Sequence, residues 1–184
     1  MLCPRRFFKI FLSHSSDDSA IRKDIYDLIE SLRDNFRVVF ESRYSSTARD
    51  DQKLMASTAD KIASSNVFLA LLSRNAVKNE WVNFEIKKAL EYNKIIIPVL
   101  IKEDIEEILN VFPWIKELKW IEVPKRGDRK SACIEIVSRI TGEYERKMEI
   151  DKKKAEDLNK LLFTAIVSIV GIGLFLIMLS EDSG

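Results

Sequence analysis

Short continuous apolar runs alternate along this chain with stretches whose apolar residues recur every three or four positions. Lys9-Ile10-Phe11-Leu12 is the first run, followed by polar SHSSDDS. From Ala20 to Leu32, apolar Ile21, Ile25, Leu28, Ile29 and Leu32 fall at helical spacing. Ser15 with Asp18 three residues later has the spacing of a capping box at that helix's start. Val38-Val39-Phe40 reads as a second strand, Glu41 to Asp51 as a polar loop, and Leu54, Ala59, Ile62 and Ala63 as a second helix. Asn66 to Leu72 is apolar nearly throughout, as a strand buried on both faces requires. A helix near Glu80–Asn93, a strand over Ile95–Leu100 and a weaker helix over Asp104–Val111 follow. A short fifth strand over Leu118–Val123 and a helix over Arg129–Ile140 complete the pattern, with Trp114 and Trp120 expected to pack the last strand. Five strands alternating with helices predict right-handed crossovers and an α/β fold with a parallel sheet covered on both faces. In such sheets ligands sit at the carboxyl ends of the strands, near the point where strand order reverses.

The periodicity stops at the C-terminal tail. Thr141 to Lys160 carries six acidic and six basic residues and reads as a charged helical stalk. From Leu161 to Ser180, LLFTAIVSIVGIGLFLIMLS has no charge. A helix of that length spans about 30 Å, the thickness of a bilayer's hydrocarbon core. A membrane span is therefore expected at 161–180, with a short tail over 181–184, the arrangement of a single-pass tail anchor. Arg146, Lys147, Lys152, Lys153, Lys154 and Lys160 precede the span, and only Glu181 and Asp182 follow it. The positive-inside rule then keeps the body in the cytoplasm. Thr164, Ser168 and Gly171 fall on one face of the span, which is either a self-association surface or ordinary tolerance of small residues.

Composition narrows the chemistry. Thirty basic and 29 acidic residues give a net charge of +1, so there is no electrostatic footprint for nucleic acid. One histidine and two distant cysteines argue against both a metal site and a disulfide framework, and suit a reducing compartment. No GxGxxG, GxxxxGK[ST] or GxSxG motif occurs, which leaves Rossmann, P-loop and serine-hydrolase readings unsupported.

KIFLSHSSDD at the first strand, VVFES at the second, SSNVFLALLSRNAVKNEWVNFEI across the third strand and next helix, and IIIPVL at the fourth together resemble a TIR domain (Toll/interleukin receptor family). The resemblance covers roughly Phe7 to Ile140, within a TIR domain set at 1–140, and implies a flavodoxin-like five-stranded parallel sheet. It also implies an activity, since many TIR domains cleave NAD+ between nicotinamide and ribose. Glu85 stands at the family's catalytic glutamate, in the helix after the third strand. NAD+ would be the substrate, with no resident cofactor and no metal. Ser13, His14, Ser15, Glu41, Arg43 and Trp81 fall where strand-end loops and that helix would line the substrate site.

On periodicity alone, Glu85 among Glu80, Lys87, Lys88 and Glu91 reads as a solvated helix-face charge. Trp81, one turn earlier, either walls a pocket or packs on the sheet; His14 either contacts ligand or makes a loop hydrogen bond. One departure from the family stands out. The loop after the second strand, ESRYSSTARDDQKL, lacks the usual glycine or proline, and Ala48 stands where glycine is expected. Three functions follow: an NAD+-cleaving enzyme active on oligomerisation, a non-enzymatic signalling scaffold, and a membrane-perturbing effector. Tethering in a bilayer would raise the effective concentration for TIR–TIR contacts in each. The architecture resembles prokaryotic immune effectors, which implies a role in antiphage defence.

Overall fold

The computed structural model describes residues 8–31, 38–41 and 51–181. The chain divides into two compact units, Met1–Glu143 and Tyr144–Gly184. In the first, β1 (Phe8–Ser13), β2 (Val38–Glu41), β3 (Val67–Leu72), β4 (Ile95–Ile101) and β5 (Ile121–Val123) form one sheet in the order β2-β1-β3-β4-β5. All neighbouring pairs run parallel. Helices α1 (Ser19–Ser31), α2 (Asp51–Ser64), α3 (Arg74–Val77), α4 (Glu80–Glu91) and α5 (Ile105–Val111) connect them, and α6 (Lys130–Glu181) follows β5. This is the flavodoxin order, whose switch point lies between β1 and β3.

Every residue of β3 is buried, which is why its sequence is an unbroken apolar run. Phe11 and Phe68 are register partners on β1 and β3, and their rings stack with centroids 5.5 Å apart. Ile62 of α2, Val82 and Ile86 of α4, and Ile108 of α5 close on these strands to form the core. Trp114 and Trp120, partly buried, pack against the same cluster.

Several boundaries differ from the sequence pattern, for identifiable reasons. The last strand is only Ile121–Val123. Pro113 opens a 3-10 turn through Glu117. The carbonyls of Lys119 and Trp120 then accept hydrogen bonds from the Arg139 guanidinium, outside the ladder. Pairing of β4 with β5 begins only at Val99, directly after Pro98, which has no N–H to donate. Helix α4 ends at Glu91 because Asn93 adopts φ +50°. Asn93 N–H donates to the Leu90 carbonyl and Lys94 N–H to that of Ala89, the paired bonds of a Schellman cap. Within α2, Ile62 and Thr58 are buried, whereas Ala63, expected on the inner face, is exposed.

The helix expected to end at Ile140 continues to Glu181. Ala132, Ile136 and Ile140 bury one face of its first turns. Beyond them no proline interrupts the helix, and Gly142 lies within it and does not end it. Residues 152–161 are exposed. Among the described residues, no helix is long and apolar enough to cross a membrane. The expected span at 161–180, with Thr164, Ser168 and Gly171, lies beyond Leu161 outside the residues whose side chains are described.

Candidate functional site

Ser13 is the last residue of β1, paired in register with Ala70 of β3, and so sits at the switch point of the sheet. Glu85 approaches it from α4. That helix starts at Asn79, whose side-chain oxygen accepts from the N–H groups of Trp81 and Val82 at 3.0 and 3.2 Å. The Asn83 amide donates back to the Val77 and Asn79 carbonyls, tying α4 to the short helix α3 before it. Two turns from its cap, α4 carries Glu85 inward. Its Oε2 accepts a hydrogen bond of 2.6 Å from the Ser13 hydroxyl. Both residues are out of contact with solvent, Ser13 at 0% and Glu85 at 1% exposure. The reading of Glu85 as a solvated surface charge is thereby excluded. A signal for this was available: Glu85 stands three residues after Val82 and four before Ala89, both buried, hence on the core-facing stripe.

Trp81, one turn before Glu85 on the same face, is half-buried and meets Phe84 edge-on, with centroids 6.0 Å apart. His14 is half-buried, and its Nδ1 lies 3.0 Å from the Ser15 carbonyl oxygen. A carbonyl only accepts, so that contact places a proton on Nδ1. Ser15 is buried and serves as a cap: its Oγ accepts from the Asp17 N–H, opening the 3-10 turn Ser16–Asp18. The expected Ser15–Asp18 capping box is not formed, because the Asp18 carboxylate turns to a distant partner. Glu41 pairs with Phe11 at the end of β2, and its side chain lies outside the described residues. So do Arg43, Tyr44 and Ala48. The structure therefore brings Ser13 and Glu85 into contact and places Trp81 one turn before Glu85 on α4. His14 and Ser15 follow directly on β1.

Sequence reasoning missed a second polar cluster at the same end of the sheet. Ser73, directly after β3, donates its hydroxyl to Asp18 Oδ2 at 2.7 Å and accepts from the Ala76 N–H at 3.1 Å. The next residue, Arg74, donates its N–H to Asp104 Oδ2 at 2.9 Å. Asp18, Ser73 and Asp104 are all buried. Burial raises the Asp18 carboxyl above the ordinary aspartate range, partly offset by the Ser73 hydrogen bond, with Asp17 and Asp104 adding to the rise. A separate open cavity of about 290 Å³ lies beside Arg74, lined by Glu103, Asp104, Glu106, Glu107 and Asn110. Ser13, His14, Ser15, Trp81 and Glu85 do not line it.

The β2-β1-β3-β4-β5 parallel sheet defines a doubly wound domain, with a buried carboxylate at its switch point. The TIR domain family model matches residues 10–137, and the chain belongs to that family. No curated protein matches the sequence. Among solved structures, the fold is similar to the TIR domains of the activated Roq1 resistosome that directly recognises the pathogen effector XopQ. There the TM-score is 0.52 at 15% identity, covering 72% of this chain and 99% of that one. It is also similar to the RPS4 and RRS1 TIR domain heterodimer (TM-score 0.55, 17% identity, 76% and 99% covered). A third similar structure is the CMP N-glycosidase BcmB of Clostridium botulinum (TM-score 0.51, 19% identity, 71% and 98% covered).

Proposed function

We propose that this TIR domain cleaves NAD+ at the nicotinamide–ribose bond when it oligomerises, with Glu85 as the catalytic carboxylate. The observation that carries the reading is the buried Ser13–Glu85 hydrogen bond at the switch point. Keeping a carboxylate out of water costs several kcal/mol, on the order of the values for buried ions generally, and a helix has no structural need for one there. The fold it shares with a CMP N-glycosidase, named for breaking a nucleotide's N-glycosidic bond, supports the same bond class here.

The chemistry needs little else. As the C1′–N bond breaks, its electron pair leaves with nicotinamide and neutralises the ring's positive charge. The ribose left behind has oxocarbenium character, and Glu85 stabilises it while orienting the ribose hydroxyls. Water adds at C1′ and gives its proton to solvent, yielding ADP-ribose; attack by the adenine of the same molecule yields a cyclic isomer. Ser13 holds Glu85, while His14, Trp81, Glu41 and Arg43 furnish the walls of the substrate site. The reaction calls for no resident cofactor or metal. The apolar stretch 161–180 anchors the protein in a bilayer as a single pass, with the TIR domain in the cytoplasm, and the Thr164/Ser168/Gly171 face assists self-association. The similar TIR structures, a resistosome and a heterodimer, support assembly through TIR–TIR contacts in an immune response.

The loop without glycine or proline after β2 favours a second reading, a TIR scaffold or membrane-perturbing effector that does not turn over NAD+. One experiment separates them: NAD+ loss and nicotinamide release by the full chain on liposomes across surface densities, beside Glu85→Ala and Glu85→Gln. Turnover by wild type and none by either variant supports the enzyme. An inert wild type at every density overturns it and leaves the scaffold. Flotation of the full chain with liposomes, against a variant lacking residues 161–184, tests the anchor.

A further inference from the structure

The Asp18–Ser73 pair has no part in the chemistry described so far, yet it joins the two segments that flank Glu85. Asp18 closes the turn that follows His14 and Ser15, with its own N–H bonded to the Ser15 carbonyl at 3.2 Å. Ser73 closes β3 and caps α3, which leads through Asn79 into the helix of Trp81 and Glu85. The hydroxyl–carboxylate bond between them spans 55 residues of sequence and is buried. The adjoining Arg74 N–H is held by Asp104, which closes the 3-10 turn Lys102–Asp104 directly after β4, the strand next to β3. The turn after β3 is thus gripped by carboxylates from the loops after β1 and after β4. A cap for α3 requires only the Ser73 hydroxyl, and a helix of four residues gains little from a buried carboxylate behind it. Burying two carboxyl groups around this one turn costs free energy that capping α3 does not require.

We infer that Asp18 and Ser73 are positioning residues that clamp the loop after β1 to the turn after β3, fixing where α4 presents Trp81 and Glu85 relative to His14. The inference rests on the reading of Glu85 as the catalytic carboxylate. A displacement of about 1 Å in such a site lowers turnover by as much as a hundredfold. The clamp holds Glu85 indirectly, through α3, Asn79 and the first turn of α4.

The test uses the full chain on liposomes, with Asp18→Ala, Asp18→Asn, Ser73→Ala, Ser73→Thr and the Asp18→Ala/Ser73→Ala double variant. Steady-state nicotinamide release and amide hydrogen exchange over residues 79–86 are measured for each. Asp18→Ala and Ser73→Ala should each lower kcat about tenfold or more with little change in KM, and the double variant should be no worse than either single one. Asp18→Asn and Ser73→Thr keep an acceptor and a donor, and should recover most of the rate. Exchange over 79–86 should quicken in the alanine variants only. If Asp18→Ala does not fold, Asp18→Glu replaces it: its carboxylate, carried one methylene farther from the backbone, is misplaced for the Ser73 hydroxyl and should behave like alanine. Alanine variants that lose thermal stability but keep both kcat and slow exchange would overturn the clamp, as would an Asn variant no better than Ala. An inert wild type defeats the enzymatic reading alone; the clamp is then judged by exchange, and unchanged exchange in Asp18→Ala defeats it too.

Discussion

Replacing Ser13 with alanine isolates the contact on which the candidate site depends. The substitution removes one oxygen from a fully buried position and leaves the main chain paired with Ala70, so the strand itself has no cause to move. What is lost is a 2.6 Å hydrogen bond onto Glu85 Oε2, within the O–H···O⁻ range of charge-assisted bonds. Bonds to charged groups contribute about 1.5–3 kcal/mol. Expressed wholly as stability in a domain of this size, that is a Tm lower by roughly 5–10 °C. Expressed wholly in the transition state, it is about a 10- to 150-fold loss of kcat. The two shares are read by thermal unfolding and by steady-state nicotinamide release on the same preparations. Ser13→Cys, of similar size with a weak S–H donor, should fall between wild type and alanine on both scales. A Ser13→Ala protein with Tm within about a degree of wild type and unchanged kcat would refute the reasoning, since Glu85 would then be held without Ser13.

Three further outcomes follow from the same geometry. Asn79→Ala strips the cap from α4 and should cost about 1 kcal/mol in urea unfolding, whereas Asn79→Asp keeps the acceptor and should restore it; equal losses in both would argue against capping. Phe68→Ala removes a fully buried ring stacked on Phe11 and should cost about 3–5 kcal/mol, and a loss under about 1 would mean that the core does not rest on this pair. For Asp18, burial raises the native pKa above the unfolded one. Its stabilising contribution is then present below the ordinary aspartate value, about 4, and is lost as pH rises through the native value. Asp18→Asn does not titrate, so its stability relative to wild type should rise across that interval and then level off; a flat difference between pH 3 and pH 7 refutes the assignment.

The sheet was legible because buried parallel strands are written as unbroken apolar runs, and Val67–Leu72 and Ile95–Ile101 are such runs. Strand ends were less legible where a tertiary contact decides them: Arg139 takes the carbonyls that would have lengthened β5. The Ser13–Glu85 contact joins residues 72 apart, and family resemblance pointed to the glutamate without naming the serine as its partner. Asp18 was misread for a related reason. Its spacing from Ser15 satisfies a local capping rule, whereas its actual partner, Ser73, is distant in sequence and near only once β1 and β3 are paired. Local rules cannot rank a nearby acceptor against one that the topology delivers.

Pro98 bears on how such a domain survives crowding. On its β5 side, β4 has a paired strand only from Val99 onward among the described residues, and Ile95 at its start is exposed. An unguarded flank of that kind is where a neighbouring copy would add a strand and seed a fibre. Pro98, next to that flank, leaves the strand with one backbone donor fewer. Wherever copies of such a domain crowd together, a missing donor on that strand works against strand addition and favours contact through side-chain surfaces.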